Sequence, residues 1–165
     1  MLTEDMNQKL IREKKHRLYP EVYVGEEIIS FTLCIKNRNN FFTNIERFKI
    51  FEDYLLNELK AFNCSAYVYL FMPDHSHLVL TGNESKANIK KCLGMFKQKT
   101  GFWLSNNNKK IKWQKDYYDH ILRSQENLIV HLKYILNNPV RACLVEYWKQ
   151  YPYKGSTIYN LDEWH

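Results

Sequence analysis

Met72-Pro-Asp-His-Ser-His-Leu-Val-Leu80 carries more information than any other nine residues of this chain. Side chains two apart on a strand project from the same face. His75 and His77 therefore point together, while Leu78 and Leu80 point the other way, into a core. Ahead of it, Ala66 to Phe71 is an aromatic-rich β run, which Met72-Pro73-Asp74 interrupts. The region reads as two strands with a tight turn between them, the second stopping at Thr81-Gly82-Asn83. Two neighbouring imidazoles are a metal-ligand geometry that suits several divalent ions. Two surface histidines on an edge strand share the same spacing, so the pair alone does not select between these readings.

On the N-terminal side, Ile28 to Lys36 alternates, with Ile29, Phe31, Leu33 and Ile35 on one face, a strand pattern. Asn44 begins a helical period expected to bury Phe48, Phe51, Leu55, Leu56 and Leu59 and to end near Asn63. On the C-terminal side, Ser85 to Trp103 has helical character, followed by a loop at Asn106-Asn107-Asn108. Ile111 to Arg123 is strand-like and rich in Trp and Tyr. Ser124 suits an N-cap, Glu126 suits the first turn, and the helix should run to the Asn138-Pro139 step. The order strand, helix, two strands, helix, strand, helix predicts an α+β fold, a ferredoxin-like or RRM-like antiparallel sheet with helices on one face. No repeat or linker divides the chain, so residues 1–165 read as a single domain. Within it we expect a basic N-terminal arm over 1–25, a core over 26–148 and a Tyr-rich tail over 149–165.

With 45% hydrophobic and 15% aromatic residues, the chain is not a disordered polyelectrolyte. Its net charge of +6 is unevenly placed: nine lysines and no acid lie between Ser85 and Lys115. A second basic cluster includes Lys15 and Arg17. Aromatics interleave with the lysines (Phe96, Phe102, Trp103, Trp113), which tilts the reading toward a nucleic-acid surface over a merely solvated helix face. Cys34, Cys64, Cys92 and Cys143 form no CxxC pair, which argues against a zinc knuckle or a disulfide framework. The N-terminus lacks the apolar region of a signal peptide, and the longest apolar run is too short for a membrane span. The expected setting is cytoplasmic, with no membrane partner.

The helix from Ser124 holds a second candidate. Leu128, Ile129, Leu132, Ile135 and Leu136 make one apolar stripe, and steps of about 100° put Tyr134 about 160° from its centre. Asn138 flanks Tyr134 on the polar side, with His131 and Asn127 nearby. A core tyrosine is disfavoured there, while a plain surface tyrosine remains open. An exposed phenol beside a carboxamide suits a nucleophile next to a metal ligand.

Taken in order, Tyr23-x-Gly25, Phe31-Thr32-Leu33-Cys34, Met72-Pro73-Asp74-His75-Ser76-His77, Phe96-Lys97, Trp113-Gln114, Tyr117-Tyr118-Asp119-His120-Ile121, Arg123-Ser124, Tyr134-Ile135 and Asn138-Pro139-Val140-Arg141-Ala142 resemble the single-tyrosine HUH transposases, and among them the REP-associated tyrosine transposases. The resemblance covers roughly residues 15 to 155.

It implies a ferredoxin-like fold with the histidine pair on a central strand and the tyrosine helix packed across that face. His75 and His77 carry over as metal ligands and Tyr134 as the nucleophile. Asn138 matches the position from which the family takes an amide ligand, a glutamine in other single-tyrosine transposases. Ser76 stands where the family has a hydrophobic residue. The implied ion is Mg²⁺ or Mn²⁺, and the implied substrate is single-stranded DNA with hairpins, cut and rejoined through a 5′-phosphotyrosine link. Lys86, Lys90, Lys97, Lys15, Arg17, Arg123 and Arg141 are the expected DNA contacts, although both arginines also suit plain surface charge. The protein would act as a monomer or homodimer. Two other readings fit the residues: a non-catalytic nucleic-acid-binding module on the same fold, and a metallohydrolase using His75, His77 and His120.

Overall fold

The computed structural model describes residues 18–165, the side chain of Gln125 excepted. Lys15 and Arg17 lie outside the described residues. Among the described residues, five strands form one antiparallel sheet, β1 (Ile28–Cys34), β2 (Cys64–Met72), β3 (His75–Gly82), β4 (Tyr118–Leu122) and β5 (Lys154–Gly155), in the order β4-β1-β3-β2-β5. The histidine pair opens β3, the central strand. The turn before it is Pro73-Asp74, whose carbonyls accept bonds from Ile35, Phe41 and Phe42 backbone N–H groups. That turn therefore fixes the chain leaving β1 above the start of β3.

Two helices cover one face: α1 (Ile45–Ala61), capped by the Asn44 side chain accepting from Arg47 N–H at 2.9 Å, and α2 (Ile89–Asn107). With Ile29, Phe31, Leu33, Leu78 and Leu80 they enclose the larger core. The other face carries α3 (Gln125–Leu136), with Ser124 as its N-cap, and packs Leu128, Leu132, Ile135 and Leu136 on Val68, Leu70, Met72 and Val79. Arg123 and Ser124 alone link β4 to α3. This is the ferredoxin-like α+β arrangement, with α3 across the histidine face.

Four local expectations are corrected. Leu56 is exposed, because Phe48, Phe51, Glu52, Leu55, Glu58 and Leu59 already occupy the inward stripe of α1 and Leu56 sits a further 100° round. The α2 helix runs through Asn106 and Asn107, whose side chains bond back to the carbonyls of Phe102 and Trp103. The expected strand over 111–123 shrinks to β4; before it, only Trp113 bridges to Ile35, pinned by its indole N–H donating to Thr100 Oγ1 at 2.8 Å. Finally, α3 stops at Leu136, and Asn138 starts a separate short helix, α4 (Asn138–Arg141), with Pro139 in its first turn, where a missing N–H costs nothing.

The segment read as a tail contributes β5, which pairs with β2, and Tyr151, whose hydroxyl donates to the Phe71 carbonyl at 2.6 Å. Among the described residues no helix is long and apolar enough to cross a membrane.

Candidate functional site

β1 and β3 are in antiparallel register, with Thr32 opposite His77 and Cys34 opposite His75. Because Ile29, Phe31 and Leu33 take the helix-pair face, Ser30 and Thr32 are left on the other face beside the histidines. Each histidine is held through its Nδ1. His75 Nδ1 lies 2.6 Å from Asp74 Oδ1, and His77 Nδ1 lies 3.1 Å from Thr32 Oγ1. Arg38 Nε donates to Asp74 Oδ2 at 2.8 Å, completing a carboxylate clamp behind His75. The Asp74 carboxylate takes the Nδ1–H of His75 and leaves its lone pair on Nε2. With the same tautomer assigned to His77, Thr32 accepting, both lone pairs are turned inward, and the two Nε2 atoms face each other at 3.2 Å.

These residues fit a divalent cation. Two nitrogen ligands about 2.1 Å from one ion, at roughly a right angle, stand about 3 Å apart, close to the observed spacing. Burial is the main reason the His77 ring is held down to about 3, with His75, His131, Arg141 and Arg38 adding to it. His75 is also lowered by burial, partly offset by Asp74. Burial would raise the Asp74 carboxyl, but its bonds to His75 and Arg38 bring it below the usual carboxylate range. Both imidazoles are thus neutral at physiological pH, as ligation requires. Among the described residues no group of three or more His, Cys, Asp or Glu side chains is placed to hold a metal. His120 does not join the pair; its ring meets His131 edge to face, centroids 4.9 Å apart. The three-histidine metallohydrolase thereby loses its ligand set.

Tyr134 is 60% exposed, as its angular position on the helix predicts. It lines a recess of about 520 Å³ with His120, Arg123, Asn127, Val130 and His131. His75 and His77 are not among the lining residues. The two parts meet through β1: Ser30 Oγ lies 2.7 Å from His131 Nε2, on the tyrosine helix, and Thr32 two residues on holds His77. Two residues along a strand span about 6.7 Å, so one short run of β1 carries both anchors.

Arg141 places its Cζ 3.7 Å from the Tyr134 ring centroid and donates to Asn138 Oδ1 at 2.5 Å. Tyr134, Asn138 and Arg141 are therefore one cluster. Lys86 is exposed ahead of α2. Lys90 lies over the Tyr23 ring, and Lys97 donates to the carbonyls of Gln114 and Lys115, both on the helix-pair side of the sheet. The structure thus groups the arginines with the tyrosine and sets the α2 lysines apart from it.

Sequence reasoning missed Ser30, Thr32 and Arg38 and gave Asp74 no role. A signal for the two hydroxyls existed, since they alternate with the apolar residues of β1 and had to face the histidines once β1 lay beside β3.

Residues 24–138 match the family model described as "Transposase IS200 like", well over half of the chain. A Haemophilus influenzae protein named as a REP-associated tyrosine transposase is 28% identical over 136 residues, covering 70% of this chain and 77% of that protein. The solved structure of a REP-associated tyrosine transposase bound to a REP hairpin superposes with a TM-score of 0.72 at 20% identity, covering 86% of this chain and 82% of that one. A Deinococcus radiodurans structure described as a transposase gives a TM-score of 0.51 at 18% identity, covering 76% of this chain and 97% of that one.

Proposed function

The chain belongs to the transposase IS200-like family, and from that membership we propose that it cuts and rejoins single-stranded, hairpin-containing DNA through a covalent bond between Tyr134 and a 5′-phosphate, with Mg²⁺ or Mn²⁺ at His75 and His77. One observation carries this reading: two neutral imidazoles, each fixed through Nδ1, converge at 3.2 Å on the face crossed by the helix that bears an exposed phenol. The solved structure on which this fold superposes, a REP-associated tyrosine transposase bound to a REP hairpin, supports hairpin DNA as the substrate class.

His75 and His77 would hold a divalent ion, with Asn138 as the amide candidate, and the ion would supply Lewis-acid stabilisation of charge on the scissile phosphodiester. The protein's own groups do the rest. Asp74 and Thr32 keep each ring turned so that Nε2 faces the site. The Tyr134 oxygen attacks phosphorus and gives up its proton as the P–O3′ bond breaks, and the departing oxygen takes a proton to become a free 3′-OH. The Arg141 guanidinium lies against the Tyr134 ring, 3.7 Å from its centroid, and places a positive charge beside the attacking residue. Attack by another 3′-OH on the phosphotyrosine reverses the step and rejoins DNA without ATP. Arg123 and Arg141 hold phosphates next to the tyrosine. Lys86 and Lys90 bind backbone farther off, through charge alone, with Lys97 bracing the loop beside them.

The test is a labelled hairpin oligonucleotide incubated with Mn²⁺. A denaturation-resistant adduct is expected for the wild type, and none for Tyr134→Phe, His75→Ala or His77→Ala. An equally strong adduct with Tyr134→Phe overturns the proposal. Hairpin binding with no adduct under either ion supports the binding-module reading instead.

A further inference from the structure

Tyr134 shares its recess with residues the proposed reaction does not use. Asn127, Val130, His131 and Tyr134 recur at i, i+3, i+4 and i+7, so one stripe of α3 forms a wall of the recess, away from the buried leucines. A helix flank turned to solvent is ordinarily polar, yet Val130 is 65% exposed here and Tyr134 60%. His120, projecting from β4 on the same side, meets His131 edge to face, so its ring stands across that of His131 and adds a second aromatic wall. Arg123 stands at the rim. Among the described residues β4 is the last strand on this side of the sheet.

The volume of about 520 Å³ suits one small organic group. Planar and apolar walls suit a base, which stacks on any aromatic face. Asn127 supplies a carboxamide that both donates and accepts, as base-edge readout requires. Arg123 supplies the charge for a neighbouring phosphate.

We infer that this recess holds one unpaired nucleotide adjoining the scissile phosphate, with its base against His120 and Val130, Asn127 bonding the base edge and Arg123 on the next phosphate. The protein itself then selects the base at the cleavage junction. The inference rests on Tyr134 as nucleophile for its position relative to the junction, but the base contact itself needs no chemistry.

The experiment uses hairpin oligonucleotides with each of the four bases immediately 5′ or 3′ of the junction. Adduct formation is followed with Mn²⁺, and binding is followed by fluorescence anisotropy in EDTA. One base at one of the two positions should be preferred by about tenfold, in rate and in binding. Asn127→Ala should reduce the preference to about twofold, and Asn127→Asp, which loses the donor, should change the favoured base. Val130→Trp, filling an exposed position, should weaken binding of every junction by about tenfold. No base preference in the wild type, or one that survives both Asn127→Ala and Val130→Trp, overturns the inference. A base preference in EDTA that depends on Asn127, without any adduct, leaves the recess standing and removes Tyr134 as the nucleophile.

Discussion

On the face covered by α1 and α2, β1 presents Ile29, Phe31 and Leu33, and β3 presents Ser76, Leu78 and Leu80. On the opposite face the same strands present Ser30, Thr32, His75, His77 and Val79. The first face is filled by rings: Phe42 makes edge-to-face contacts with Phe41, Phe51 and Phe71 at centroid distances of 4.9, 5.0 and 4.9 Å. The second is only half filled. On β1 and β3 the apolar residues under α3 stop at Val79, and beyond them come hydroxyls and imidazoles joined by hydrogen bonds, flanked on β2 by Leu70 and Met72. A strand's two-residue period lets one segment serve both purposes, so stability and chemistry are coded in alternate positions. Mutations should therefore separate the two faces cleanly.

The largest contrast is between Phe42→Ala and His77→Gln. Phe42 is fully buried, and its truncation should cost about 3–5 kcal/mol, read as a large drop in thermal midpoint. His77→Gln should leave the midpoint at neutral pH nearly unchanged while abolishing the Mn²⁺-dependent adduct. Comparable destabilisation by both would erase the distinction.

Acid should weaken the histidine face first. Burial is the first cause of lowering for His77, held to about 3, for His131, held to about 4, and for His75 and His120, which also lie below their usual 6.5. The unfolded chain takes up these protons as pH falls through about 6.5, and the folded chain at lower pH, well below that value for His77 and His131. Stability is complete above that value and is lost as pH falls from there. The thermal midpoint should decline between about pH 7 and 5, before most carboxylates titrate. The double variant His77→Gln/His131→Gln should show a flatter profile; an unchanged slope counts against the assignment.

A smaller effect is expected from Ser30→Ala, which removes the bond from β1 to the tyrosine helix. It should cost about 1 kcal/mol of stability and slow adduct formation while leaving Mn²⁺ affinity unchanged. The smallest concerns the polar intruder on the packed face. Ser76 Oγ is fully buried and has no hydrogen-bond partner among the described residues. Ser76→Ala should raise stability by up to about 1 kcal/mol in a denaturant titration and leave the adduct rate alone.

Local signals were readable without coordinates. The alternation in β1, the pairing of His75 with His77, the caps at Asn44 and Ser124, and the off-stripe angle of Tyr134 each depend on a few consecutive residues. What could not be read depends on which strand lies beside which. Thr32 meets His77, and Ser30 meets His131, only through a register fixed by the whole sheet. Arg38 reaches Asp74 because Asn37 and Arg38 both adopt left-handed backbone, which no local pattern announces. The sequence likewise showed Lys97 as a cation without showing the two carbonyls that occupy it.

The short link of Arg123 and Ser124 has a mechanical consequence. Two residues reach at most about 7 Å, so the helix that bears Tyr134 hangs from β4, the last strand on that side among the described residues, on a leash shorter than the helix itself. Any handover of that helix to a second copy must either carry β4 along with it or tear β4 from β1. Swinging the phenol between molecules is thus tied to the integrity of the sheet's rim.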